Sequence, residues 1–158
     1  MPTWYRGDHW KYNDGGRAAA GYRGTAGDCA TRAIAIATGI PYQIVYDVIN
    51  EIAKRHEHPA KGRRRRSSAR NGVHKPTIVR LLNANGWRWT PTMGIGTGCR
   101  VHLRADELPP GRLIVQVSHH LTAVIDGVIQ DTHDPSRAGT RCVYGYWSKP
   151  VGGSRAVG

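Results

Sequence analysis

The chain has 158 residues, enough for one domain with a real core, and a single domain over 1–158 is expected. Its hydrophobic share of 39% and mean hydropathy of −0.50 read as soluble and globular. No apolar run approaches the roughly 18 residues of a membrane span, so no membrane partner is expected. The formal charge of +12 argues against an acidic scaffold and for a polyanionic partner attracted through a long-range field.

Residues 1–27 are rich in Gly, Tyr, Trp and Arg without a period, which predicts an irregular N-terminal arm. The first twelve residues contain no apolar h-region, so no secretory signal is expected. The stretch from Gly27 to Gly39 then reads as loop, N-cap, short apolar helix and glycine stop, with Asp28 as the cap. Cys29 falls in the first turn of that helix, where orphan N–H groups and the helix dipole favour a thiolate. Pro41 opens a second helix, whose Ile44, Val45, Val48, Ile49 and Ile52 define an inward face ending near Arg55.

A basic loop over 56–74 follows. From Lys54 to Arg80 the chain carries ten Lys and Arg against one acid, Glu57. Arg63, Arg64, Arg65 and Arg66 run unbroken, with Arg70 close behind. Such a block draws nucleic acid or another polyanion by counterion release, but no aromatic interrupts it to stack on bases. A third helix, with Ile78, Val79, Leu81 and Leu82 inward, stops near Asn85-Gly86.

The second half is strand-like. Trp87–Thr90, Arg100–Leu103, Leu113–Val117, Leu121–Ile125, Val128–Asp131 and Cys142–Trp147 are the expected strands, and Gly94–Gly98 is a flexible turn. Asp126-Gly127 is a strong hairpin signal. Helices first and an antiparallel sheet afterwards give an α+β fold class. Cys29, Cys99 and Cys142 lie far apart, with no CxxC pair and no even-numbered framework. That pattern predicts no disulfides and a reducing, intracellular setting. The histidines and cysteines lack close ligand pairs apart from His56-x-His58 and His119-His120, so neither a metal nor another cofactor is expected.

A thiol nucleophile needs a base, and the base needs an orienting group. His119-His120 opens one strand, and Asp131 ends the next after the Asp126-Gly127 turn. A hairpin therefore sets the His pair beside Asp131, which would fix the imidazole tautomer. His119 and His120 are expected on opposite faces of the strand, and periodicity alone does not choose between them.

These three segments resemble the papain-like cysteine peptidase superfamily. Gly27–Gly39 is similar to its nucleophile helix. His120-Leu121-Thr122-Ala123-Val124-Ile125-Asp126-Gly127 is similar to its His followed by an apolar strand and a Gly turn. Asp131-Thr132-His133 falls where the family places its Asn or Asp. The order also resembles the bacteriocin-processing branch, and the chain is similar to uncharacterised phage and prophage proteins. The resemblance implies a papain-like fold, helices packed on a C-terminal antiparallel sheet. It also implies a cysteine hydrolase that cleaves an amide or isopeptide bond of a peptide or protein through a thioester. Cys29 would be the nucleophile, His120 the base and Asp131 the orienter, with no cofactor. The Cys29 backbone N–H would serve the oxyanion hole. The family's Gln before the Cys is absent, which leaves Arg23, Thr25 or a donor from the arm such as Asn13 to substitute. The likeness further implies a place in the host cytoplasm or with a virion. The alternative on the same scaffold is a non-catalytic phage protein that binds nucleic acid or a host protein through Arg63–Arg66.

Overall fold

A computed structural model of the protein describes residues 8–58 and 65–150. Three helices come first in the chain: α1 (Cys29–Thr38), α2 (Tyr42–His56) and α3 (Lys75–Ala84). They cover a six-stranded sheet made of β1 (Trp10–Tyr12), β2 (Arg88–Pro91), β3 (Arg112–Val117), β4 (His120–Ile125), β5 (Val128–Asp131) and β6 (Gly145–Ser148). The strand order is β1-β5-β4-β3-β6-β2. The α+β class stands, but the sheet is mixed rather than antiparallel, because β1 pairs parallel with β5 through Trp10↔Ile129 and Tyr12↔Asp131. The N-terminal segment is therefore not wholly an irregular arm. Three residues are too few to show a strand period, and their partner lies at the far end of the chain.

Helix α1 is buried from Ala30 to Ala37, and its alanines let it lie close along β4. It stops where Gly39 turns left-handed (φ 78°) and returns its N–H to Ala35. Helix α2 buries Tyr42, Val45, Ile49 and Ala53, while Ile44 and Val48 of the expected face are 52% and 39% exposed. The buried stripe follows i, i+3, i+7 and i+11, narrower and rotated from the one expected. Helix α3 buries Ile78, Leu81 and Leu82, with Val79 at the margin.

The sheet separates two apolar clusters. Ile34, Ile49, Leu82, Ile114, Leu121 and Trp147 belong to the helical side. Leu113, Val115, Val117, Val124 and Ile129 meet Leu103, Leu108 and Val143 from the connecting loops on the other. This two-sided cover explains why β4 is buried at every interior position. Strand β2 lies at the edge, where Pro91 costs no ladder bond, and it pairs with β6. Gly145 of β6 runs under the Trp89 ring, and a Cβ there would also lie 2.8 Å from the Thr90 carbonyl.

Two further expectations are corrected. Residues 100–103 form no strand. Their backbone pairs with the neighbouring segment through an isolated bridge between His102 and Cys142. Next to that bridge Cys99 and Cys142 form a disulfide (Cα–Cα 5.8 Å) across 43 residues, leaving Cys29 as the free thiol. An odd cysteine count hid one pair and one single residue, and the pairing removes the reason that count gave for a reducing setting. Among the described residues no helix is long and apolar enough to cross a membrane.

Candidate active site

Two hairpins build the site. In the β4–β5 turn both Asp126 (φ 49°) and Gly127 (φ 81°) have positive φ, the geometry of a type I′ turn. That turn fixes the register Ile125↔Val128, Val124↔Ile129 and Ala123↔Gln130. Thr122 and Asp131 are the next facing residues, and His120 lies two positions earlier on the same side of the pleat. The outcome is a His120 Nε2 to Asp131 Oδ2 distance of 2.7 Å, with Thr122 Oγ1 donating to the same oxygen at 2.7 Å. The other carboxylate oxygen, Oδ1, accepts the Thr132 N–H at 2.7 Å and Arg32 Nη2 at 3.4 Å.

The β3–β4 turn consists of Ser118 and His119, and His119 sits at φ 56°. His119 is therefore a turn residue and not the opposite face of a strand, a difference a dipeptide of two histidines does not signal. Val117↔His120 closes the hairpin. Gln116 secures it, its Nε2 donating to the carbonyls of Val117 (2.6 Å) and His120 (3.1 Å).

Cys29 arrives from the first turn of α1, and its thiol interacts with the His120 side chain beside it on one cavity wall. Burial pushes the thiol pKa up. The His120 hydrogen bond, the Leu121 N–H and the charges of His120 and Arg32 outweigh it, and the net shift is downward from 9.0. For His120 burial works toward the neutral ring. The Asp131 and Cys29 interactions dominate and raise it from 6.5 to about 9. Burial raises the Asp131 pKa, and the bonds from His120, Thr122 and Thr132 more than offset this, so the group is lowered. With Nε2 held by Asp131, the ring nitrogen left for the thiol is Nδ1. Together these shifts favour a thiolate–imidazolium pair oriented by a carboxylate.

Asp28 holds the expected N-cap position, its carbonyl accepting the Arg32 N–H at 3.0 Å, but its side chain makes no cap hydrogen bond. Its buried carboxylate takes the Tyr42 hydroxyl at 2.6 Å, Arg17 Nε at 3.3 Å and Arg32 Nη1. Arg32 thus bridges Asp28 to Asp131. Sequence reading missed Arg32; its spacing of i+4 from Asp28 on a helix was the available signal.

Cys29 and His120 open into a cavity of about 630 Å³ lined also by Asn71, Gln116, His119 and His133. Arg23 and Thr25 do not line it. They are exposed, and their carbonyls accept from Arg70 Nη2 at 3.1 and 3.3 Å. Asn13 is engaged with Gln130 and Gly15. Of the polyanion residues, Arg63 and Arg64 lie outside the described residues. Arg65 and Arg66 are exposed, Arg66 donating to the Glu57 carbonyl, and Arg70 is tied to the loop before Cys29.

A ligand set unforeseen from spacing is also present. His133 Nδ1 lies 3.9 Å from Asp131 Oδ1, and the His120 and His133 rings are 5.1 Å apart. Ligand atoms of His120, Asp131 and His133 lie within 4.8 Å of one another, a spacing that a metal ion can bridge. The signal was Asp131-x-His133, read as the end of a strand and as the position of the orienting carboxylate. No protein-family model, no curated protein and no solved structure matches this chain.

Proposed function

We propose that the protein is a papain-like cysteine hydrolase, phage or prophage encoded, that cleaves an amide or isopeptide bond through a Cys29 thioester. The observation that carries this reading is the continuous chain from the Cys29 thiol through His120 to Asp131, with the thiol pKa lowered and the imidazole pKa raised. The Cys29 thiolate attacks the carbonyl carbon, and the C=O electron pair moves onto oxygen. As the carbonyl re-forms, the C–N bond breaks and the leaving amine takes the proton held by His120. Water, deprotonated by the same imidazole, then releases the acid and restores the thiol. Arg32 lies behind Asp131, where it helps keep that carboxylate ionised.

Wild-type protein should acylate at Cys29 with a thiol-directed acyl probe near neutral pH, and Cys29→Ala should abolish the adduct. Equal labelling of the two proteins would overturn the proposal. The exposed Arg65 and Arg66 support a second role on the same scaffold, contact with nucleic acid or another polyanion. Binding of a DNA or RNA oligonucleotide should then weaken steeply between about 50 and 200 mM salt, and neutralising Arg63–Arg66 should flatten that slope. A salt-independent affinity would remove this role.

A further inference from the structure

The hydrolase reading leaves one part of the machinery unassigned, the side chain that helps the Cys29 N–H hold the developing oxyanion. Asp28 spends its carboxylate on Arg17, Arg32 and Tyr42, so the N–H groups of the first turn of α1 receive no side-chain cap. A helix start in that condition, beside a thiolate and open to a cavity, presents donors to a substrate carbonyl. The second donor must come from the walls. Gln116 is excluded because its amide is committed to the Val117 and His120 carbonyls.

Asn71 is different. It lies on the cavity wall, and among the described residues its carboxamide has no hydrogen-bond partner. Its backbone is fixed from several sides. Ser68 and Gly72 bond to one another through both backbone groups at 2.8 and 2.9 Å. Thr31 Oγ1 of α1 donates to the Ala69 carbonyl at 2.7 Å, and Arg70 Nη2 holds the carbonyls of Arg23 and Thr25. The Asn71 carbonyl comes so near Gly27 that a Cβ on that residue would lie 3.0 Å from it. A loop anchored to α1 and to the segment preceding Cys29 thus carries a free amide on a fixed stem.

We propose that Asn71 is the oxyanion-hole side chain, its carboxamide N–H joining the Cys29 backbone N–H around the carbonyl oxygen under attack. This rests on the hydrolase reading and replaces Arg23 and Thr25 in that role. Two probes of Cys29 separate it from a structural role. An activated acyl ester passes through a tetrahedral oxyanion, whereas iodoacetamide reacts by direct displacement and forms none. Asn71→Ala should slow acylation by about 10²- to 10³-fold. Asn71→Asp, which keeps the shape but replaces the donor with an anion, should slow it at least as much. Alkylation should change by less than about threefold in the alanine variant, because the thiolate is untouched. His119→Ala, which removes another exposed side chain on the wall able to donate, should slow acylation far less than Asn71→Ala does. Acylation of Asn71→Ala at the wild-type rate overturns the assignment alone, as does a parallel fall in both reactions. A wild-type protein that alkylates but never acylates overturns the hydrolase reading and this assignment together.

Discussion

Two buried carboxylates sit on either side of Arg32, and they do different work. Asp28 and Asp131 are 1% and 3% exposed, and each reaches the same guanidinium. The other partners of Asp28 are Arg17 and the Tyr42 hydroxyl, whose pKa burial and Asp28 drive upward. The raised Tyr42 hydroxyl does not give up its proton in the physiological range. The main partner of Asp131 is an imidazole raised to about 9, close enough to neutral for it to exchange a proton. Identical side chains with similar burial thus form a fixed brace in one case and a tunable relay in the other, and the titrating neighbour makes the difference.

The largest separation should come from removing each charge. Asp131→Asn keeps the shape but no longer stabilises imidazolium, so acylation of Cys29 should fall on the order of 10³- to 10⁴-fold. Its alkylation profile should also move to higher pH, since a less basic His120 supports the thiolate less. The stability profile carries the same signature. The stabilisation from His120 is complete below about pH 6.5 and is lost as pH rises toward about 9. That from Asp131 is present above about pH 4 and is lost as the carboxylate protonates in acid. Denaturation midpoints of wild type and Asp131→Asn should therefore converge in acid, and the gap between them should narrow as pH rises toward about 9. An unshifted alkylation profile would break the distinction between relay and brace.

Asp28→Asn should do the reverse. It leaves Arg17 and Arg32 facing a neutral amide in the interior, a loss of about 3–5 kcal/mol by analogy with broken buried ion pairs. Urea unfolding measures it. The alkylation profile of the surviving folded protein should stay near that of wild type, and a shift as large as that of Asp131→Asn would mean that Asp28 belongs to the relay.

The relay was legible in the sequence and the brace was not, for a physical reason. His120, the Asp126-Gly127 turn and Asp131 are linked by strand alternation and a two-residue turn, both short-range rules, so their meeting follows from counting residues. The bounds of α1 were equally local, set by a loop at one end and Gly39 at the other. Asp28 takes the cap position that its local pattern indicates, and only its side chain departs from that role. Its actual partners, Arg17 and Tyr42, arrive from other segments, and the competition among them appears only after folding. The same holds for β1 against β5, for Cys99 with Cys142, and for Asn71 beside Gly27, each a contact between distant parts of the chain.

The smallest effect should come from Thr122, which tests how finely the relay is set. Its hydroxyl donates to the same Asp131 oxygen that His120 holds, whereas Oδ1 is served by Thr132 and Arg32. Thr122→Val preserves the volume of a fully buried position and removes one donor, at a cost of about 1 kcal/mol in stability. The carboxylate then has one fewer bond favouring its charged form, so its proton affinity rises and its hold on imidazolium weakens. Acylation should slow by about three- to tenfold, since one of several hydrogen bonds is lost and the charge is kept. The alkylation profile should shift in the same sense as in Asp131→Asn but by much less. An effect as large as that of Asp131→Asn would mean that Thr122 positions the carboxylate, and no effect at all would mean that His120 and the Thr132 N–H hold it without help.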